Sequence, residues 1–264
     1  MNITLLLAIV IVASFGISVI ANLFADRFPE FLDKGFKGLK GPRTLCIICN
    51  HQYKNNFAPL IEWPLKHGRC PNCQAPLPLR PFLIQLSTII FSIICVLHFG
   101  YSPNLLISLL ITWALTIFIA IDIDHSILPG KILRPFLWIA LLASVFRASI
   151  FTNTSISSDF SILGSATGFL IIWILGQIIF LIRGAVTLND GDALLLAIAG
   201  AWLGPLFLGD ILLLSSILAS CYVIIRLMLG LKNPSLQNMA GNLPFGPSVA
   251  LAFWMMLIIQ VPLA

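Results

Sequence analysis

Apolar residues in this chain come in runs of about 20, and polar residues gather between the runs instead of alternating within them. A helix of that length crosses about 30 Å of hydrocarbon. The pattern predicts eight membrane-spanning helices, at about 3–24, 81–99, 104–121, 132–147, 161–182, 193–208, 211–229 and 247–263, of which the sixth is the shortest. Continuous runs exclude a β-barrel, whose strands alternate lipid-facing and lumen-facing positions. Helices are expected because lipid offers backbone groups no partner outside their own segment. The first run, Ile3 to Phe24, has no basic start and is long for the apolar part of a signal peptide, so it reads as a retained span. One long polar segment interrupts the pattern, Ala25 to Arg80. The expected organisation is a first transmembrane helix at 1–24, a loop domain at 25–80 and a seven-helix membrane domain at 81–264.

Composition turns this pattern into a class. Hydrophobic residues make up 59% of the 264 positions and charged residues only 9%, which excludes a soluble globular domain. A net charge of +5 would ordinarily raise nucleic acid as a partner. Here nine of the fifteen Lys and Arg residues lie in Ala25–Arg80, between spans, where basic residues set orientation. The segment is therefore expected in the cytoplasm, nucleic acid is rejected as a partner, and the chain's surroundings are membrane lipid. Alternation then brings Lys131, Arg134, Arg183, Arg226 and Lys232 to the inner side, with Arg147 alone near the outer side. The fold class expected is an all-α polytopic membrane protein of about eight transmembrane helices with a cytoplasmic loop domain.

The same topology carries two acidic clusters to one membrane face. "IDIDH", with Asp122 and Asp124, closes the third span, and "NDGD", with Asp190 and Asp192, opens the sixth about seventy residues later. Ionisable groups at membrane depth are costly, which makes them functional candidates. Two residues on a helix are separated by about 200° of rotation, so one acid from each pair can face a shared site. Two close carboxylates in an apolar site hold one proton between them. Such a pair can activate water and protonate a scissile amide, as an aspartic protease does. Gly191, with no Cβ, permits close approach of another stretch of chain or of a substrate backbone. The acids also suit solvated loop ends or helix N-caps, and paired intramembrane acids also serve ion-coupled transporters.

The polar segment adds "CIIC" (Cys46, Cys49) and "CPNC" (Cys70, Cys73), separated by twenty residues. Two C-x2-C knuckles supply the four thiolates of a closed, tetrahedral structural zinc site. A reducing cytoplasm disfavours structural disulfides, and a redox dithiol does not need two matched pairs. His51 and His67 are expected on the surface. Cys95 and Cys221, inside spans, are expected as small buried apolar residues.

Five motifs in order resemble those of bacterial type IV prepilin leader peptidases, the prepilin peptidase and N-methyltransferase family of G-x-G-D aspartic proteases. "SFGISVIANLFADRFP" (Ser14 to Pro29) is similar to the family's "GSFLNVVVHRLP". The paired C-x2-C motifs follow. "IDIDHSILPG" (Ile121 to Gly130) resembles I-D-x-D/E-x-x-x-L-P, "NDGDALLLAIAGAWLG" (Asn189 to Gly204) resembles the G-x-G-D segment, and "LPFGPSVALA" (Leu243 to Ala252) contains P-F-G-P. The resemblance implies Asp122 and Asp192 as catalytic residues, with Gly191, Asp124 and Asn189 in supporting positions and His125 and Asp190 outside the reacting pair. It departs at Asn189, where the motif has glycine, at Leu194, where many members have lysine, and at Gln85, where glutamate is usual.

What the resemblance implies is an endopeptidase of the bacterial inner membrane. It would remove the basic leader of type IV prepilins or type II secretion pseudopilins at the cytoplasmic face, after a glycine. Many members also methylate the new N-terminus with S-adenosylmethionine, although no glycine-rich nucleotide loop occurs in Ala25–Arg80. Two other readings use the same residues: an ion-coupled transporter, and a non-catalytic relative acting as an assembly scaffold. The transporter would place its acids near the bilayer midplane, whereas these stand at span ends beside Lys131 and Arg183.

Overall fold

The computed structural model describes residues 3–37, 49, 59–70, 72–125, 128, 130–146, 157–184, 190–228 and 245–260. Ten α-helices account for most of these described residues. They are α1 (Ile3–Asp26), α2 (Phe28–Lys34), α3 (Pro59–Leu65), α4 (Arg80–Phe99), α5 (Pro103–His125), α6 (Gly130–Phe146), α7 (Ser158–Arg183), α8 (Asp190–Leu203), α9 (Leu208–Met228) and α10 (Phe245–Gln260). Among the described residues the one β-type contact is an isolated antiparallel bridge between Arg69 and Pro76. The protein is an all-α, multi-pass membrane protein. Each of the eight expected spans overlaps one of these helices. Five helical segments are long and apolar enough to cross a membrane, at Ile3–Asp26, Arg80–Phe99, Pro103–His125, Ser158–Ile182 and Pro205–Ile225. The other three, α6, α8 and α10, are shorter, with 17, 14 and 16 residues.

The chain divides into two compact units, residues 1–124 and residues 125–263. The first unit is built on α1, α4 and α5, whose polar side chains meet each other instead of lipid. The Trp113 indole Nε1–H of α5 donates to Ser14 Oγ of α1 at 3.2 Å and to Ser92 Oγ of α4 at 3.1 Å. Cys95 of α4 and Thr112 of α5 approach to 3.4 Å between Sγ and Oγ1. Buried hydroxyls also bond back into their own helices, as Thr88 does to the Ile84 carbonyl at 2.7 Å. The Asn22 Nδ2–H donates to the Pro81 carbonyl at 3.2 Å, joining the end of α1 to the start of α4. Helix α1 therefore runs antiparallel to α4 and parallel to α5. The short helix α3 rests on α4: the Leu60 N–H donates to Gln85 Oε1 at 2.8 Å, and the Trp63 and Phe82 rings lie 5.3 Å apart.

In the second unit α8 is the centre. Every residue from Gly191 to Ala201 is buried, and α6, α7, α9 and α10 pack around it. Glycines set the closest approach. A Cβ on Gly164 of α7 would overlap the Gly200 carbonyl of α8, a Cβ on Gly200 would overlap the Gly164 carbonyl, and Gly168 faces the backbone of Leu196. Small residues of this kind let backbones meet where lipid supplies no hydrophobic drive. Gly204, at φ 83°, ends α8, and a 3-10 turn at Pro205–Phe207 leads into α9.

Candidate active site and cysteine cluster

Of each acidic pair, one member is withdrawn from the surface. Asp122 lies in the last turn of α5 and is 4% exposed, while Ile123 beside it is 50% exposed. Asp192 lies in the first turn of α8 and is 6% exposed, while Asp190 is exposed. That first turn presents unsatisfied backbone N–H groups and the positive end of the helix dipole, which favour an acid there. Asp122 belongs to the first unit and Asp192 to the second.

Asp124 faces a cation. Arg80, the first residue of α4, places Nη2 2.6 Å from Asp124 Oδ2 and Nη1 2.8 Å from Asp26 Oδ1. One guanidinium thus links the end of α1, the start of α4 and the end of α5. The sequence pattern marks Arg80 only as one of the orienting basic residues. A further signal was available: an arginine at the mouth of a span stands at the same face as the acids.

Gly191 is the meeting point of the two acidic motifs. A Cβ there would overlap the carbonyl and Cβ of Leu128, which is itself buried. The stretch of chain admitted by this glycine is therefore the first motif at Leu128. Leu194, one turn of α8 further on, lies over Gly130, with its Cδ1 3.3 Å from where a Cβ on that glycine would stand. Asn189 lies outside the described residues.

Three of the four knuckle cysteines come together. Sγ atoms of Cys49, Cys70 and Cys73 all lie within 4.8 Å of one another, and Cys49 and Cys70 are 3.8 Å apart. Sulfurs held tetrahedrally at about 2.3 Å from one zinc are separated by about 3.8 Å, so the three fit one metal shell. The local fold explains the approach. Gly68, at φ 66°, turns the chain after α3, and Trp63 covers it. The Cys70 N–H then donates to the Ala75 carbonyl at 2.8 Å, the Gln74 N–H to the Cys70 carbonyl at 2.9 Å, and the Leu77 N–H to the Gly68 carbonyl at 2.7 Å. Gln74, at φ 60°, completes this hairpin around Cys70 and Cys73. Cys46 and His51 lie outside the described residues, and His67 is exposed as expected. Cys95 is buried, but Cys221, expected inside, is exposed on α9. In a membrane helix the outward face is as apolar as the core, so hydropathy does not separate the two.

Comparison with known proteins places these motifs. The type IV leader peptidase family model matches residues 109–224, and the bacterial peptidase A24 N-terminal domain model matches residues 8–99. The prepilin leader peptidase/N-methyltransferase of Aeromonas hydrophila is 34% identical over 230 residues, covering 87% of this chain and 76% of that protein. Its counterpart in Legionella pneumophila is 32% identical over 219 residues, 81% of this chain and 72% of that protein. That of Pseudomonas aeruginosa is 30% identical over 256 residues, 90% and 84% respectively. The chain belongs to the type IV leader peptidase family. No solved structure matches it. As a leader peptidase it is an enzyme, and the transporter and scaffold readings are not favoured. Asp122 and Asp192 both fall inside the peptidase match, and all four knuckle cysteines fall inside the N-terminal match.

Proposed function

We propose that this leader peptidase uses Asp122 and Asp192 as its reacting pair. The substrates would be the leader junctions of type IV prepilins or type II secretion pseudopilins, cut at the cytoplasmic face of the inner membrane. Burial supports the reading: Asp122 and Asp192 are the withdrawn members of their pairs, at 4% and 6% exposure. In the proposed reaction the ionised acid takes a proton from water, and the oxygen attacks the scissile carbonyl carbon. The protonated acid gives its proton to the carbonyl oxygen. The tetrahedral diol then collapses and the C–N bond breaks: the acid that took water's proton gives it to the leaving nitrogen, and the other acid takes a proton back from a diol hydroxyl. A leader junction must be extended to present its carbonyl, so the substrate's helix begins beyond the cut.

The cysteine loop, 25–80, is proposed as a cytoplasmic zinc-binding domain between the first helix and the membrane domain at 81–264. Cys46, Cys49, Cys70 and Cys73 would hold the ion. Four thiolates leave no open coordination position, so zinc would supply folding energy and no catalysis. N-methylation of the new amine by S-adenosylmethionine is proposed from the names of the relatives. With no glycine-rich nucleotide loop in 25–80, no residue is assigned to that donor and no step is derived through it.

The test is to incubate purified protein with a prepilin and read the products by mass, which reports both the cut and any added methyl group. Asp122→Asn and Asp192→Asn are each expected to abolish cleavage while the protein still inserts and folds. Full cleavage by either variant would overturn the pair.

A further inference from the structure

We propose that Arg80 is a positioning residue for the leader-peptidase reaction: by holding Asp124, it fixes the rotation of the helix end that presents Asp122. The inference rests on the reading of Asp122 as a reacting acid. It is carried by a different observation, the bridge from Arg80 to Asp124 at 2.6 Å and to Asp26 at 2.8 Å.

Three features make this more than a surface ion pair. First, the side chains are partly covered, although Asp26 and Asp124 stand at exposed helix ends. The side chains of Arg80, Asp26 and Asp124 keep only 21%, 27% and 19% of their surface exposed, whereas fully solvated pairs hold long side chains in place weakly. Second, one rigid planar guanidinium serves both acids: its Nη1–H donates to Asp26 Oδ1 at 2.8 Å, and its Nη2 pairs in charge with Asp124 Oδ2 at 2.6 Å. Third, Arg80 is itself held. Pro81 follows it at the start of α4, and the Pro81 carbonyl accepts from Asn22 Nδ2. Just upstream, the Leu77 N–H closes the cysteine hairpin on the Gly68 carbonyl.

Helix geometry carries the effect to Asp122. Asp122 and Asp124 stand about 200° apart around α5. Binding Asp124 to Arg80, on the side of α1 and α4, turns Asp122 to the opposite side of the helix. Without that bond the last turn of α5 is free to twist or fray, as helix ends do. A carboxylate that must meet water and a scissile carbonyl within hydrogen-bond reach tolerates little of this, because a misplacement of about 1 Å costs up to about 100-fold in rate. The bond also settles which acid of "IDID" is withdrawn from reaction: the one already committed to a permanent cation.

The experiment uses purified full-length protein and a prepilin, with kcat, KM and thermal unfolding measured for each variant. Asp124→Asn and Arg80→Gln are each expected to lower kcat by about 10- to 100-fold with KM unchanged. The double variant is expected to fall no further than Arg80→Gln alone, because that change already removes the contact to Asp124 together with the one to Asp26. Arg80→Lys, which keeps the charge but loses the fork, should recover part of the loss. Asp124→Asn is isosteric, so it reports on the bond even if Arg80→Gln folds poorly. Wild-type kcat in either single variant, or losses that multiply in the double, would overturn the proposal. Asp122→Asn in the same assay separates the two claims. If it cleaves normally, the reacting pair is wrong. If it is dead while Asp124→Asn is normal, only the role of Arg80 is wrong.

Discussion

Gly191 has no side chain to place, and Leu128 uses the space. The atoms a Cβ would meet are the carbonyl oxygen, carbonyl carbon and Cβ of Leu128, none of which is the far end of a flexible side chain. No rotamer change relieves such an overlap, so Gly191→Ala must move one backbone past the other. The expected cost is about 1–3 kcal/mol, the range for forcing an extra methyl into a packed interior. Cleavage should fall as well, since Asp192 is the next residue. Gly16→Ala is the control: nothing lies within 4 Å of where its methyl would stand on α1, and alanine is the better helix former by up to about 1 kcal/mol. Thermal unfolding of the two variants in detergent checks the contrast, and equal melting temperatures would sink it. At this scale the sequence was partly legible. A glycine beside an acid announces close approach, and the partner turned out to be chain. Arg80 was not legible in its role, because the rule that orients basic residues toward the cytoplasm says nothing about which acid each one meets.

Helix α8 shows what a run of apolar letters conveys about an element and what it omits. The run predicted a span at 193–208, and a helix lies there, beginning at Asp190. It stops at Leu203, because Gly204 adopts φ 83° and Pro205 opens a separate turn. Fourteen residues of helix measure about 21 Å, short of the hydrocarbon thickness of about 30 Å. Its burial on all sides was hidden too, since hydropathy rates a protein-facing and a lipid-facing leucine alike. The glycines carry the missing information. Gly164 and Gly200 meet backbone to backbone, so α7 and α8 approach more closely than any side chain permits. Gly164→Ala and Gly200→Ala should each force the helices apart at a cost of about 1–3 kcal/mol. The loss should appear as a lower unfolding temperature, with weaker cleavage because α8 carries Asp192. Gly209→Ala, where no atom lies within 4 Å of the added methyl, should leave both unchanged. If all three variants behave alike, the seam is not what positions α8.

At the scale of the whole molecule, the cysteine cluster belongs to the first compact unit. The meeting of Cys49, Cys70 and Cys73 was legible because metal-ligand spacing is written locally in the chain. What the spacing could not supply is the hairpin that turns Cys70 and Cys73 toward Cys49 through Gly68 and Gln74. Among the described residues few apolar side chains back this cluster: Ala75 is buried against Cys70, with Leu77 partly so. A structural zinc contributes about 10–16 kcal/mol in small peptides at neutral pH, enough to fold what so few contacts would not. Elemental analysis of intact protein is therefore expected to find one zinc per chain, and Cys70→Ser is expected to lose it. Thiol labelling gives a readout independent of activity. With metal bound, the knuckle cysteines should resist alkylation; after chelation they should react, while Cys95, buried among α4 and α5, stays protected. A redox dithiol predicts the opposite behaviour: no stoichiometric metal, and thiols that disappear on mild oxidation instead of appearing on chelation. Because the hairpin closes three residues before Arg80, removing the metal should also loosen α4 at its first turn. Limited proteolysis after chelation should then cut within 25–80 sooner than in the membrane helices, and unchanged cutting would separate the metal from the fold it is proposed to hold.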